Sequence, residues 1–199
     1  MPINRAEFYK RFERRFIEGF VQKKLHLKPD IRDCHKFAFS LLFEELKPFA
    51  NPGNHARLQE VLDDLSEIEE LDYRRRREGM TSAPPHVESL LSRIHLKGVA
   101  VLLPKIASGG KVRGVSLGLK QLKLLRDELM GRAFSPQPIA LTRKYLAGIY
   151  SLAMDHRLRP LLPPDAYAAV LHAMNKFAHE VDIVSLAIHF KSGGEVGES

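Results

Sequence analysis

The chain has 199 residues, of which 44% are hydrophobic and 28% are charged, and its formal net charge is +7. This composition is that of an ordinary globular protein, and it excludes intrinsic disorder of the whole chain, which requires few hydrophobic residues. A chain of this length buries roughly 70% of its unfolded surface on folding, so a core forms without disulfides or metals. The positive charge makes an anionic partner a reasonable hypothesis.

The sequence carries no sign of export or of membrane insertion. Its single cysteine, Cys34, cannot form an intrachain disulfide, which favours a reducing compartment. The longest apolar run, GVAVLLP at residues 98–104, is far shorter than the ~20 residues that a membrane-spanning helix needs. The first residues lack the continuous apolar core of a signal peptide. We therefore expect a cytoplasmic protein with no membrane association.

Positive charge is concentrated in the middle of the chain. Residues 79–160 carry 13 Lys and Arg against 4 Asp and Glu, whereas residues 51–78 and 161–199 each have three more acidic than basic residues. Within residues 93–132 nine basic residues accompany two acidic ones, and the glycine-rich stretch SGGKVRG interrupts them. Such asymmetry is typical of a protein that contacts a polyanion.

The first predicted helix spans residues 5–24. Asn4 and Glu7 form a capping-box pattern at its start, and apolar residues then recur at every fourth position. Each phenylalanine of this stripe would bury about 150–250 Å² if covered. Two interpretations are open: the stripe lies in the core of the chain, or it is an interface with a partner or with a second copy in a homodimer. The stripe consists of Phe8, Phe12, Phe16 and Phe20.

Two more helices are predicted in the first half of the chain. Pro29 and Asp30 start the second, and Pro48 ends it. Cys34 lies on the apolar face of this helix, which favours a buried structural thiol over a nucleophile. The third helix follows the turn NPGN and spans residues 55–77.

The charged face of the third helix changes from acidic to basic along its length. Acidic residues near the start of a helix and cations near its end complement the helix dipole. Glu70 and Asp72 stand at the i, i+4 spacing from two of the arginines, so local pairing explains much of this charge. A secondary basic patch that binds phosphate is the alternative interpretation. The four arginines, called the arginine tetrad below, are Arg74, Arg75, Arg76 and Arg77.

A short linker, GMTSAPP at residues 79–85, separates the two halves of the chain. Its length favours one domain in two halves over two domains. We expect a single helical domain over residues 1–191, with halves 1–78 and 86–191. Residues 192–199 are expected to form a disordered tail.

The second half is predicted to be mostly helical, with one ambiguous segment. Helices are expected near residues 86–96, 117–130 and 139–155, and a last helix begins near Pro164. In the segment 98–115 the helix continues through VAVLL, or VAVLL and KVRGV form a small β-hairpin across SGG. The expected fold class is all-α, a single-domain bundle of six or seven helices, with that hairpin as the alternative.

No motif in the sequence predicts catalysis or the binding of a metal or cofactor. SGGKVRG is not a phosphate-binding P-loop, because Lys111 is followed by Val112 rather than by Ser or Thr. His172 and His179 share a helix face, but seven residues of helix rise about 10.5 Å, too far for one zinc ion. We therefore expect neither an enzyme nor a protein with a cofactor or metal.

The basic centre remains as the candidate functional region. Its lysines and arginines predict a non-catalytic regulatory or accessory protein that binds nucleic acid or another polyanion. No aromatic residue occurs in the segment before Phe134, which favours contacts to a phosphate backbone over base stacking. The alternative is a helical protein–protein interaction module, such as an inhibitor, adaptor or chaperone-like protein, that binds an acidic protein surface. The predicted binding residues are Lys97, Lys105, Lys111, Arg113, Lys120, Lys123, Arg126 and Arg132.

Overall fold

The structure, a computed structural model, describes residues 2–24, 27, 29–107 and 138–193. Over these ranges the chain forms α-helices and no β-strand, so the predicted all-α fold class is confirmed. The α-helices are α1 (Arg5–Phe16), α2 (Ile31–Leu46), α3 (His55–Arg77), α4 (Pro85–Ala107), α5 (Arg143–Ser151) and α6 (Pro164–Gly193).

Helix α1 begins at a side-chain cap and ends in a wider turn. The side-chain oxygen of Asn4 accepts hydrogen bonds from the backbone N–H groups of Ala6 and Glu7. The predicted helix continues past Phe16 as a π-helical turn, Ile17–Val21, which we call the first π turn. Gly19 lies in this turn, where a Cβ would stand 2.5 Å from Cζ of Phe37. Only glycine therefore permits this close approach of α2.

The phenylalanine stripe of α1 lies in the core. Each of its four rings is at most 1% exposed. The ring of Phe177, on α6, meets Phe12 and Phe16 edge-on, with centroids 5.4 and 4.9 Å away. Edge-to-face pairs at this distance each add about 0.5–1.5 kcal/mol beyond area burial. The interpretation of this stripe as a partner interface is thus wrong, because α2 and α6 already cover it.

Helices α2 and α3 follow the sequence prediction closely. The carboxylates of Asp30 and Asp33 each accept the backbone N–H of the other, which forms a capping box at the start of α2. The ring of His55, the first residue of α3, lies with Nε2 3.1 Å from the carbonyl oxygen of Lys47. Gly79 adopts a φ of 68° two residues after the end of α3, a conformation that terminates helices.

Helix α4 resolves the ambiguous segment in favour of a helix. Residues 98–107 are helical, so VAVLL is not a strand and the hairpin alternative is wrong for this part of the segment. The reason is a buried stripe at helical spacing that includes Ile94 and Leu102. Gly98 permits close packing, since a Cβ there would stand 3.0 Å from Cβ of Leu152. KVRGV lies outside the described residues.

Helix α5 starts four residues later than predicted. Residues 139–141 pair instead with residues 81–83: Leu141 N–H donates to the carbonyl of Thr81 at 2.8 Å, and Ala83 N–H donates to that of Ile139. These backbone groups are therefore unavailable for a helix. Thr142 then caps α5 by accepting the N–H of Tyr145. A second π turn, Leu152–Leu158, continues the chain beyond α5.

The chain divides into two compact units. The first unit is Met1–Glu70 with Leu161–Ser199, and the second unit is Leu71–Pro160. In the first, α1 packs on α2 and α6; in the second, α4 packs on α5 and the second π turn. The boundary falls inside α3. The predicted single domain stays a prediction, and residues 194–199 of the predicted tail lie outside the described residues.

Candidate polyanion-binding surface

The two units carry opposite formal charges. The second unit has 17 Lys and Arg against 6 Asp and Glu, a charge of +11. The first has 14 against 18, a charge of −4. The unit boundary, between Glu70 and Leu71, coincides with the change from acidic to basic residues along α3. The charge asymmetry of the sequence thus follows the division of the fold.

The arginine tetrad is held by acidic neighbours at the end of α3. Asp72 accepts from both Arg75 and Arg76, at 2.9 and 3.0 Å, which confirms the predicted pairing of Asp72 with Arg76. Arg74 pairs with Glu78 at 3.1 Å. Ion pairs on a helix surface are worth only about 0.3–0.5 kcal/mol each, so a phosphate could displace them. The tetrad therefore remains the secondary candidate.

Helix α4 presents a basic ridge in the second unit. Arg93 is exposed and Lys97 is half-buried, and their spacing of four residues places them on one side of the helix. The exposed residues His86 and Ser89 continue the same side toward the start of α4. Lys105 also belongs to α4, in its last turn, but its side chain is not among those described.

A second pair of cations, which the charge pattern of the sequence did not single out, lies on α5. Arg143 and Lys144 are exposed in the first turn of this helix, which contains no acidic residue. Cations are disfavoured there, because the helix dipole makes this end positive. An anion is favoured at the same place, since the N–H groups of the first turn point outward. The only signal in the sequence was the charge excess of residues 79–160.

A ring contact joins α4 and α5 within the second unit. The imidazole of His95 lies 5.9 Å from the ring of Tyr145, centroid to centroid. His95 is two residues from both Arg93 and Lys97, so it points about 200° away from them around α4, and the contact does not place the α5 pair on the face of the α4 ridge. These four cations, Arg93, Lys97, Arg143 and Lys144, are called the described cations below. The other predicted binding residues, Lys111, Arg113, Lys120, Lys123, Arg126 and Arg132, lie outside the described residues.

The one thiol is not a nucleophile. Cys34 is fully buried in α2, and this burial, with a smaller contribution from Asp33, raises its pKa to about 12. At neutral pH the sulfur is therefore a protonated thiol that packs as an apolar group.

Two buried polar side chains of α2 have structural partners. The carboxylate of Glu45 lies between the guanidinium groups of Arg11 and Arg15 of α1, with the Arg15 Nη1 atom 2.6 Å from it. The Nδ1 atom of His35 lies 2.8 Å from the carbonyl oxygen of Ile31, so Nδ1 carries the proton and donates it. The Glu45 contacts tie α1 to α2, and the His35 contact lies within α2.

Metal-ligating side chains do not cluster in the described parts of the chain. Residues 2–107 and 138–193, apart from the small gaps near residue 26, contain no group of three such side chains. None of the helices described above is long and apolar enough to cross a membrane.

No protein-family model, no curated protein and no solved structure matches this chain. What the protein binds is therefore inferred from its own residues.

Proposed function

We propose that the protein is a non-catalytic regulatory or accessory protein of the cytoplasm that binds nucleic acid or another polyanion through its second unit. The observation that carries the proposal is the charge of +11 on residues 71–160, against −4 on the rest of the chain. A surplus of this size attracts polyanions over distances of about 8–10 Å at physiological salt. It does not arise from the needs of folding, because net charge destabilises a compact state.

Contacts to the phosphate backbone fit the second unit better than base recognition does. The described cations offer four Lys and Arg side chains, the residue types that neutralise phosphates. Among the described tyrosines of this unit, Tyr73 is buried, Tyr145 contacts the ring of His95 and Tyr150 is half-buried, so exposed platforms for bases are scarce there. We therefore expect affinity that depends steeply on salt and little on sequence.

The test is fluorescence anisotropy with a labelled 20-base-pair duplex, titrated with the full chain between about 50 and 200 mM salt. Arg93→Glu with Lys97→Glu should weaken binding on the order of tenfold. It should also reduce the slope of log K against log salt by about one for each phosphate that the variant no longer neutralises. The matched control is Lys10→Glu with Arg14→Glu, an exposed pair at the same spacing on α1 of the first unit.

Three outcomes would contradict the proposal. The first is an absence of duplex binding at about 50 mM salt, where electrostatic affinity is greatest. The second is an equal loss of affinity in the control pair, which would make the charge of the whole chain, and not the second unit, responsible. The third is binding of polyglutamate as tight as that of the duplex, which would favour the alternative function, an interaction module for acidic protein surfaces.

A further inference from the structure

A groove in the first unit is lined by residues of that unit alone. Its volume is about 430 Å³, within the range of roughly 300–1,000 Å³ typical of ligand sites. One wall is a face of α2, with residues at the i, i+3, i+4, i+7 spacing, and the other is formed by three described residues between the first π turn and α2. The α2 wall is formed by Asp33, Lys36, Phe37 and Ser40, and the opposite wall by Lys24, Leu27 and Pro29.

The floor of the groove is a fixed aromatic ring. Phe37 is half-buried, and its ring lies 5.7 Å from that of Phe20 and 6.1 Å from that of Phe16. Behind it, the absence of a side chain at Gly19 lets the ring settle against the first π turn. The ring is thus held against the core on one side, while the Lys24 ammonium group lies over it on the groove side. A ligand that displaces this exposed lysine would meet an aromatic ring that is already fixed in place.

An exposed apolar side chain extends this surface. Leu27 is 70% exposed, and among the described residues the only other large hydrophobic side chain that is exposed is Ile17, at 39%. A single exposed leucine is ordinary on a protein surface, but this one lines the groove beside the Phe37 ring and so adds to the apolar area that a ligand can cover there.

The groove also carries positive charge that the fold does not use. Lys36 is exposed and forms no ion pair with any described residue. The Nζ atom of Lys24 lies 4.6 Å from the centroid of the Phe37 ring, which attracts it only weakly at an exposed site. The one acid of the wall, Asp33, already accepts a hydrogen bond in the capping box of α2. An apolar floor between two lysines matches a ligand that is apolar in the middle and acidic at its flanks.

We propose that this groove binds a short acidic peptide segment of a partner protein. One aromatic or aliphatic side chain of the segment packs on Phe37 and Leu27, and its flanking carboxylates pair with Lys24 and Lys36. The α2 wall runs seven residues, about 10.5 Å at 1.5 Å per residue. An extended peptide rises about 3.3 Å per residue, so the wall spans three of its residues, an anchor with one acid on each side.

The test uses a fluorescein-labelled peptide, Asp-Glu-Phe-Glu-Asp, and its uncharged twin, Asn-Gln-Phe-Gln-Asn, titrated with the full chain and followed by anisotropy. The acidic peptide should bind and the twin should bind at least several-fold more weakly. Lys24→Gln and Lys36→Gln should each reduce affinity about two- to fivefold, the range of an exposed ion pair. Leu27→Ser should reduce it by a similar factor without disturbing the core, because Leu27 is largely exposed.

The chain offers a closely matched control. Lys47 also lies over a phenylalanine of α2, with its Nζ atom 5.8 Å from the ring of Phe43, but it does not line the groove. Lys47→Gln should therefore leave the affinity for the peptide unchanged. The proposal is overturned if Lys47→Gln weakens binding as much as Lys36→Gln, if the twin binds equally, or if no saturation occurs up to ~1 mM protein.

Titration of the same variants with the DNA duplex distinguishes this proposal from the proposed function. Lys24→Gln and Lys36→Gln should leave duplex affinity within about twofold of the unsubstituted chain, because the polyanion is assigned to the second unit. If instead these variants lose duplex affinity and the duplex displaces the peptide, the groove is part of the polyanion site and the peptide proposal fails. Failure of duplex binding alone would leave the peptide result standing.

Discussion

The first unit carries a charge of −4 and the second a charge of +11, yet both are built with the same packing device. In each, a glycine lets a helix approach a π turn: Gly19 meets Phe37 in the first unit, and Gly98 meets Leu152 in the second. The two units therefore differ in their charge but share the way in which a glycine allows close packing of a helix. This contrast indicates that the surplus charge of the second unit serves a purpose other than packing.

The use of cations differs in the same way. In the first unit Arg11 and Arg15 are paired with Glu45, and Arg32 with Glu67, so these arginines join one helix to another. In the second unit six acidic residues cannot neutralise 17 cations, whatever their arrangement. This surplus is the basis of the proposed binding of an anionic partner.

The largest predicted effect concerns Cys34, which reports on the first unit alone. With its pKa raised from 9.0 to about 12, the thiolate fraction at neutral pH falls about a thousandfold, and burial blocks access as well. We expect iodoacetamide to label the folded chain at least a thousandfold more slowly than the denatured chain, as measured by mass spectrometry over time. Labelling within tenfold of the denatured rate would mean that the first unit opens readily.

The glycine contacts give the next largest effect. Gly19→Ala should lower the free energy of unfolding by about 1–3 kcal/mol, because the new methyl group would stand 2.5 Å from the ring of Phe37. Gly98→Ala should lower it by less, because the closest approach there is 3.0 Å, to Leu152, and alanine favours the helix. Gly148 is the control: it lies in α5 with no atom within 4 Å of a Cβ, so Gly148→Ala should stabilise by about 0.5–1 kcal/mol. Denaturant titration followed by circular dichroism measures all three.

Combining the glycine variants with Cys34 labelling tests whether the units open separately. Independent units predict that Gly19→Ala accelerates labelling while Gly98→Ala does not. Equal acceleration by both would show that the two units unfold as one, as the single domain predicted from the sequence requires. Acceleration by Gly98→Ala alone would contradict the assignment of Cys34 to the first unit.

The smallest predicted effect is a loss of stability at acid pH. The carboxylate of Asp165, in the first turn of α6, accepts the N–H of Ile3 at 2.8 Å, and this bond is the main cause of its lowered pKa. A lowered pKa stabilises the fold above the unfolded value of 3.8, and this contribution is lost as the pH falls through the folded value. In the second unit, residues 81–83 and 139–141 are joined by backbone hydrogen bonds, which do not titrate.

Asp165→Asn tests this difference, since the amide keeps an acceptor oxygen but cannot titrate. The advantage in melting temperature of the unsubstituted chain over the variant should be constant near neutral pH and should shrink below pH 3.8. If the difference in melting temperature stays constant down to the lowest pH at which the chain folds, the ionisation of Asp165 does not contribute to stability.

The elements that could be predicted from the sequence are those whose limits are local. Helix α3 has the predicted bounds because the turn before it and Gly79 after it are encoded in neighbouring residues. Helix α4 remained ambiguous because VAVLL is uniformly apolar, and its contact with Leu152 is distant in sequence. The late start of α5 and both π turns also depend on contacts between residues that are distant in sequence, which local patterns do not predict.

The sites show the same limit. Lys97 was predicted because it belongs to a basic run, whereas Arg143 and Lys144 stand apart from that run and are placed in the second unit only by the fold. The groove was not predicted, because Phe37 belongs to the apolar stripe of α2 and periodicity does not reveal that this ring stays half-exposed.

The pairing of α1 with α6 has a consequence for how the chain is made. Phe12 and Phe177 touch across 165 positions of sequence, and the whole second unit is synthesised between them. At about 5–20 residues per second, translation leaves the phenylalanine stripe of α1 without its α6 partner for roughly 10–30 s. Helix α1 thus emerges from the ribosome well before α6 can cover its phenylalanine stripe, and in that interval the stripe offers an apolar surface that a chaperone can hold.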